Sequence, residues 1–297
     1  MPEPRILLIG QGQLGTALAG ILPLKGRVDI WGRKEADLAS PRSLPKLLDG
    51  IKPDFIFNTA AYTRIDAAEK EEDLVFRINA LSPQLLAEWA AANGAALIHY
   101  STDYVFDGEK KGAYLETDQP NPLNVYGRSK LAADEAILGL AGKCYVFRTS
   151  WVYSFYGSNF PKTILKLART KDSLEVVSDQ VGAPTSADFL ALASFSAVFG
   201  GPREYGLYNL TAGGQVSWHE LAQYLVREAA KRSWPHKLNP ENIRPVTGQL
   251  PAYPARRPHN SVLDNSRFRQ VFGVSQPLWS FHMERFLDLL EIKRPWD

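Results

Sequence analysis

Tyr126 and Lys130 stand four residues apart in Asn124-Val-Tyr-Gly-Arg-Ser-Lys130. On a helix that spacing stacks both side chains on one face, one turn apart. A free phenol ionises at about 10, and a neighbouring cation lowers that value by stabilising the phenolate. Such a tyrosine is expected to exchange a proton with a substrate oxygen near neutral pH. Tyrosine and lysine also meet at this spacing by chance in many helices, so the pair needs support elsewhere in the chain.

That support is Gly10-Gln-Gly-Gln-Leu-Gly15, which follows the apolar run Arg5-Ile-Leu-Leu-Ile-Gly10 and precedes Thr16-Ala-Leu-Ala-Gly-Ile-Leu22. The first run reads as a buried parallel strand and the second as a helix. The glycines therefore lie on a strand-to-helix turn, where a dinucleotide fingerprint must sit. Gly10 permits the tight turn, Gly12 lets the backbone approach a pyrophosphate, and Gly15 lets helix and strand pack closely. The helix N-terminus offers unpaired N–H groups to the phosphates. An ordinary glycine-rich turn is the bland alternative.

The second strand, Arg27-Val-Asp-Ile-Trp31, ends in Gly32-Arg33 rather than in an acidic residue. An acid there binds a ribose 2′-hydroxyl, whereas an arginine can pair with the 2′-phosphate of NADP. Arg33 thus favours NADPH, unless it is only a solvated loop cation. Asp37-Leu38 is placed to touch the adenine edge.

The elements that must hold these groups follow from the rest of the chain. Strand patterns at Asp54–Ala60, Ala96–Ser101 and Cys144–Thr149 alternate with helical ones, one ending at Asn93-Gly94 and one carrying Tyr126 and Lys130. This alternation predicts an α/β fold with a Rossmann-like doubly wound parallel sheet. Its ligands bind outside the strand carboxyl ends, where Ala61-Tyr62-Thr63, Ser101-Thr102-Asp103 and Thr149-Ser150-Trp151 also fall. The expected dinucleotide-binding domain spans 1–153, completed by strands within 174–215. A smaller, mostly helical substrate domain takes 154–173 and 216–297. Within it, Ser217-Trp-His-Glu220 is a capping box opening a helix to about Arg232. Leu250–Pro258 is a proline-rich loop, and 277–292 is a final amphipathic helix. The charge run Asp66 to Asp73 reads as a solvated helical face.

The chain has 297 residues, 45% of them hydrophobic and 22% charged, with a net charge of +2. That balance gives no electrostatic case for nucleic acid or an anionic membrane. No apolar stretch is long enough for a membrane span. The single cysteine, Cys144, reads as a small buried hydrophobe and cannot form an internal disulfide. With no signal peptide ahead of the first strand, a cytoplasmic location is expected. His99, inside a strand, reads as a satisfied core histidine, and His219 as packing. His236, His259 and His282 have no metal-ligand spacing, so no metal is expected.

The fingerprint, the Tyr-x-x-x-Lys pair and Thr102 together resemble the extended short-chain dehydrogenase/reductase superfamily. Five strings narrow the resemblance: His99-Tyr-Ser-Thr-Asp-Tyr-Val-Phe106, Asn121–Gly127, Arg148-Thr-Ser-Trp-Val-Tyr153, Asp179-Gln-Val-Gly-Ala-Pro-Thr185 and Arg257-Pro-His-Asn-Ser261. In this order they look like the dTDP-4-dehydrorhamnose reductase family, over nearly the whole chain. The resemblance implies a proton donor at Tyr126, with Lys130 binding the nicotinamide ribose and lowering the tyrosine pKa. It implies that Thr102 bonds the same sugar oxygen, that Asp103 contacts the sugar, and that Trp151 packs on it. Cofactor contacts fall at Gly12, Gln13, Leu14, Asp37, Leu38, Ala61, Tyr62 and Thr63. Tyr62 replaces a histidine often found there. Ala17 stands where some members place a metal-bridging glutamate, so that site is not carried over.

The chemistry of the residues agrees. Ketone reduction needs a hydride that no side chain can supply, so a nicotinamide must carry it. It also needs a proton and donors for the developing alkoxide, which Tyr126 and Thr102 can provide. Trp151 beside Tyr153 can platform a sugar ring. Arg256-Arg257 can meet a pyrophosphate, and the resemblance favours Arg257. The expected activity is NADPH-preferring reduction, with NADH possible, of the 4-keto group of a dTDP-sugar, by a monomer or homodimer. Two alternatives are a reductase of another nucleotide-linked 4-keto-6-deoxy sugar and a cofactor-binding regulatory subunit, such as that of a methionine adenosyltransferase.

Overall fold

The computed structural model describes residues 3–140, 142–248 and 254–293. Met1, Pro2 and positions 250–253 of the proline-rich loop lie outside the described residues. Five strands follow the expected apolar runs: β1 (Arg5–Ile9), β2 (Arg27–Trp31), β3 (Phe55–Asn58), β4 (Ala96–Thr102) and β5 (Lys143–Thr149). A sixth, Gly206–Asn209, joins β5 at the edge, and every pairing in the sheet is parallel. The order across the sheet is Gly206–Asn209, β5, β4, β3, β1, β2.

Because helices cover both faces, the inner strands bury apolar residues on both sides. Along β1, Ile6 and Leu8 enter one core while Leu7 and Ile9 enter the other. The first core is closed by helices Gln13–Ile21, Ala187–Phe199 and Ser266–Phe272. Helices Leu44–Ile51, Ser82–Asn93 and Val125–Leu138 close the second. This is the doubly wound α/β fold. Its strand order reverses between β1 and β3, which opens a crevice at their carboxyl ends.

A separate apolar core joins helices Phe160–Ala168, Trp218–Lys231 and Trp279–Lys293. The capping box is present: Ser217 and Glu220 satisfy each other's backbone N–H groups. The division drawn from sequence differs from this packing at two places. Strand Leu174–Val177 pairs with Ile243–Val246 and buries Val176 in the separate core rather than extending the sheet. Conversely, Ser266–Phe272 returns to the sheet, because Phe268 lies among Phe147 and Tyr208.

The charge run is mostly solvated, as expected, with Glu69, Lys70, Glu72 and Asp73 exposed, yet its acids also make contacts. It forms two short helices, Ile65–Ala68 and Glu72–Phe76. Its carboxylates reach the start of Val125–Leu138: Glu69 Oε1 accepts from Val125 N at 2.8 Å, and Glu72 pairs with Arg128 at 3.2 Å. Helix N-termini carry unpaired N–H groups and a partial positive charge, so acids are recruited there. Among the described residues, no helix is long and apolar enough to cross a membrane.

Candidate active site

At the end of β1 the chain turns with Gly10 at φ +105°, a conformation closed to bulky L-residues. A Cβ on Gly15 would lie 2.0 Å from the Gly10 carbonyl oxygen, so glycine alone allows this approach of helix to strand. Gly12 precedes helix Gln13–Ile21, which no side chain caps, and a Cβ there would meet nothing within 4 Å. The turn thus offers open space in front of uncapped N–H groups, which suits a pyrophosphate. Beside it lies a cavity of about 560 Å³ lined by Gly10, Arg33, Asp37, Leu38 and Ala61-Tyr62-Thr63. Most of the expected cofactor residues therefore meet in one crevice.

Three of them behave differently from a simple contact. The Leu14 side chain is buried in the sheet core, which leaves only its backbone to face a ligand. Gln13 accepts from Asn159 Nδ2 at 2.9 Å and so ties the turn to the helix Phe160–Ala168. Arg33, with its side chain 79% exposed, lies 3.7 Å from Asp37 Oδ1 at the rim. Glu35 is drawn away to accept from Gly32 N at 2.8 Å.

Tyr126 occupies the first turn of helix Val125–Leu138. Asn124 caps this helix through Gly127 N at 2.8 Å and reaches the Arg256 carbonyl at 2.7 Å. The Tyr126 ring packs against an apolar cluster that includes Tyr62, from the wall of the first cavity. It also meets Tyr104 edge-on at 5.9 Å, and Tyr104 lines a second cavity. Tyr126 itself lines neither cavity, nor do Thr102, Asp103 and Lys130. Thr102 Oγ1 donates to Asp103 Oδ1 at 2.9 Å and accepts from Tyr104 N at 3.2 Å. Burial pushes the Asp103 carboxyl up to about 6.

The tyrosine pKa differs in direction from the sequence expectation. Burial pushes the Tyr126 phenol up to about 12, opposed by Thr102 and reinforced by Asp103 and Asp134. The lysine responsible for the expected lowering is engaged elsewhere. Lys130 Nζ donates to the Tyr100 carbonyl at 2.6 Å and lies 3.0 Å from His99 Nε2. Burial draws its own pKa down to about 8, with Asp134 opposing. Tyr126 therefore holds its proton at neutral pH, the state a proton donor must start from.

Trp151 has φ +49°, a strained setting for so large a residue. It stacks on Trp218 at 3.5 Å with the rings 8° from parallel. Gly182 makes room for it, since a Cβ there would come within 2.6 Å of the indole. Trp218, Phe160, Tyr104, Arg256 and Arg257 line the second cavity, of about 620 Å³. Arg257 grips Asp66 with both arms, at 3.2 and 2.6 Å. Trp151 lines neither cavity directly and instead backs Trp218.

Sequence reasoning missed two residues that hold this arrangement. Asn79, buried in the π-helical stretch Arg77–Leu81, accepts from Tyr62 N at 2.8 Å and donates to the Tyr62 carbonyl at 3.0 Å. It also donates to Ser129 on helix Val125–Leu138 at 3.0 Å. An amide inside an apolar helical pattern was the available signal. His99 is the other only in its partner: it is the satisfied core histidine expected, but a strand histidine gives no hint of Lys130. Among the described residues, no group of three or more His, Cys, Asp or Glu could hold a metal ion.

Comparison with known proteins agrees over the whole chain. The family model described as the RmlD substrate binding domain matches residues 4–292. The dTDP-4-dehydrorhamnose reductase of Escherichia coli K12 is 41% identical, over 96% of this chain and 97% of its own. That of Burkholderia thailandensis is 38% identical, over 93% and 96%. A crystal structure of dTDP-4-dehydrorhamnose reductase from Bacillus anthracis, in complex with NADP, superposes with a TM-score of 0.89. It is 33% identical, and the match covers 97% of this chain and 99% of that one.

Proposed function

This chain belongs to the dTDP-4-dehydrorhamnose reductase family, and we propose that it reduces dTDP-4-dehydro-L-rhamnose to dTDP-L-rhamnose with NADPH. The observation that carries this reading is the Tyr126 hydroxyl beside Thr102, with its ring against Tyr104, which walls a cavity of substrate size. The turn at Gly10–Gly15 fits a dinucleotide because its helix N-terminus is open and uncapped. Held there, NADPH supplies the hydride that no side chain can provide.

The protein's own residues do the rest. Tyr126, protonated at neutral pH, gives its proton to the sugar 4-oxygen as the carbonyl becomes an alcohol. Thr102, which donates to Asp103 when the site is free, turns its hydroxyl to the same oxygen and supports the developing charge. Lys130 has one N–H left after Tyr100 and His99, and this is the donor for the nicotinamide ribose. Arg33 at the rim meets the 2′-phosphate, exchanging its loose pairing with Asp37 for it, while Glu35 is held by Gly32. Arg256 and Arg257 face the sugar-nucleotide pyrophosphate, Arg257 held in place by Asp66. Trp151, through its stack on Trp218, stiffens the wall against which the sugar lies.

The test is turnover. Purified protein is given the keto sugar nucleotide, formed in place by an epimerase, and NADPH loss and product are followed together. Stoichiometric NADPH oxidation with dTDP-L-rhamnose as product supports the assignment. A different epimer or base preference redirects it to another 4-keto sugar. NADPH binding without oxidation favours a regulatory subunit.

A further inference from the structure

Successive residues of β4 point to opposite faces of the sheet. Ile98 and Tyr100 enter the apolar core under helix Gln13–Ile21, whereas Leu97 and His99 face helix Val125–Leu138. His99 is fully buried at 0% exposure, and Lys130, at 2%, meets it from that helix. The ammonium needs acceptors once it has left water. The Tyr100 carbonyl is one, at 2.6 Å, and His99 Nε2 is the other, at 3.0 Å. Nε2 can accept only if it carries no proton, so the proton of a neutral ring must lie on Nδ1.

Behind Nδ1, at 3.2 Å, is the Asn58 side-chain amide at the end of β3. Asn58 is 1% exposed, and its Oδ1 has no other partner. Amide oxygen and nitrogen are told apart only by their partners. Turning the Asn58 amide over gives Nδ1–H a buried acceptor, the amide nitrogen then taking the place of the oxygen. The three side chains then form a directed chain: Lys130 donates to His99, and His99 donates to Asn58.

We infer that His99, oriented by Asn58, is a positioning residue that fixes the Lys130 ammonium and aims its remaining N–H at the crevice. The inference rests on the proposed role of Lys130 as the lysine partner of Tyr126. A neutral imidazole suits this task because it accepts a hydrogen bond without cancelling the charge. A carboxylate at this place would pair with the ammonium and neutralise it. The charged groups facing the trio are Asp134, from the same helix, and Arg148, from β5, which pair with each other at 3.0 Å. β3 contributes only the neutral Asn58. Burial and the Lys130 charge both hold His99 well below the usual imidazole range, so it stays neutral while Lys130 is charged.

Two measurements test this. The first is the tautomer of His99 in the intact wild-type protein, read from imidazole nitrogen shifts by NMR and assigned by the resonance lost in His99→Gln. A neutral Nδ1–H ring throughout the range where free imidazole titrates is expected. An Nε2–H ring, or an imidazolium forming in that range, overturns the inference whether or not the protein reduces a sugar. The second is the pH profile of kcat at saturating NADPH. His99→Leu removes an acceptor from the ammonium, so kcat falls by about 10- to 100-fold and its alkaline limb moves to lower pH. His99→Gln, which restores an acceptor near Nε2, brings back most of the rate and the limb. A loss of rate with an unmoved limb, or one that glutamine does not repair while thermal unfolding is unchanged, rejects the positioning role. Inactive wild-type protein with the expected tautomer would instead count against the reductase reading alone.

Discussion

The two faces of the sheet are built to different rules where β4 and β5 run side by side. On one, Ile98, Tyr100, Tyr145 and Phe147 form an apolar and aromatic core continuous with helix Ala187–Phe199. On the other, Leu97, Cys144 and Val146 are apolar at the strand starts, but His99, Ser101 and Arg148 follow towards the carboxyl ends. Opposite these polar positions the catalytic helix sets Lys130 and Asp134, both buried. The first face supplies stability by removing apolar surface from water. Each charge buried on the second face works against stability unless it is paired. Within the sheet layers, the buried charges Lys130, Asp134 and Arg148 gather on this one face, in a polar track beneath the proposed chemistry.

The largest expected effect is on the polar side. Tyr126→Phe removes one oxygen and should lower kcat by about 10²–10⁴-fold while NADPH affinity stays constant. Near-wild-type turnover in steady-state assays would remove the reason for the polar track. Next comes the ion pair beneath it. Arg148→Met strands Asp134 in the interior and should cost about 3–5 kcal/mol in urea unfolding. Ile98→Val, on the opposite face of the neighbouring strand, should cost only about 0.5–1.5 kcal/mol. Equal costs would erase the distinction between the faces.

Two smaller effects sharpen it at the crevice. Arg33→Ala should weaken NADPH by about 1–1.5 kcal/mol, a value kept low by the exposure of Arg33, with NADH little changed. The ratio of kcat/KM for the two cofactors reports it, and an unchanged ratio assigns Arg33 to solvent. Asp103→Asn tests the buried carboxyl. Its folded pKa, about 6, is raised above the ordinary 3.8, so its contribution to stability is full below the ordinary value and lost as pH rises through about 6. Relative to wild type, the asparagine variant should therefore gain thermal stability between acid and neutral pH. A difference independent of pH would mean that Asp103 does not titrate in this window.

What could be read in the sequence was local. Mostly apolar runs marked β1, β3, β4 and β5, because a parallel strand buried on both faces is built largely from such residues. Gly10 and Gly15 were legible because only glycine meets their geometric demands. What escaped depends on partners distant in the chain. Asp66 belonged to an apparently solvated run until the fold brought Arg257 to it, 191 positions away. The direction of the Tyr126 shift was misjudged because helical spacing fixes a shared face, not where a lysine sends its ammonium. Lys130 turned to Tyr100 and His99, and burial then governed the phenol. The pairing of Leu174–Val177 with Ile243–Val246 was equally hidden, since a four-residue strand carries too little pattern to name its neighbour.

The central claim is that hydride and proton meet at the sugar 4-position under Tyr126. The most direct measurement uses NADPH deuterated at the nicotinamide C4 position, on the face that is transferred, with the keto sugar nucleotide and the purified protein. NMR of the product should show one deuterium at C4 of the sugar and the configuration of L-rhamnose, with no label in the Tyr126→Phe reaction over the same time. Deuterium retained on the nicotinamide, or delivered to any other carbon, would contradict the account.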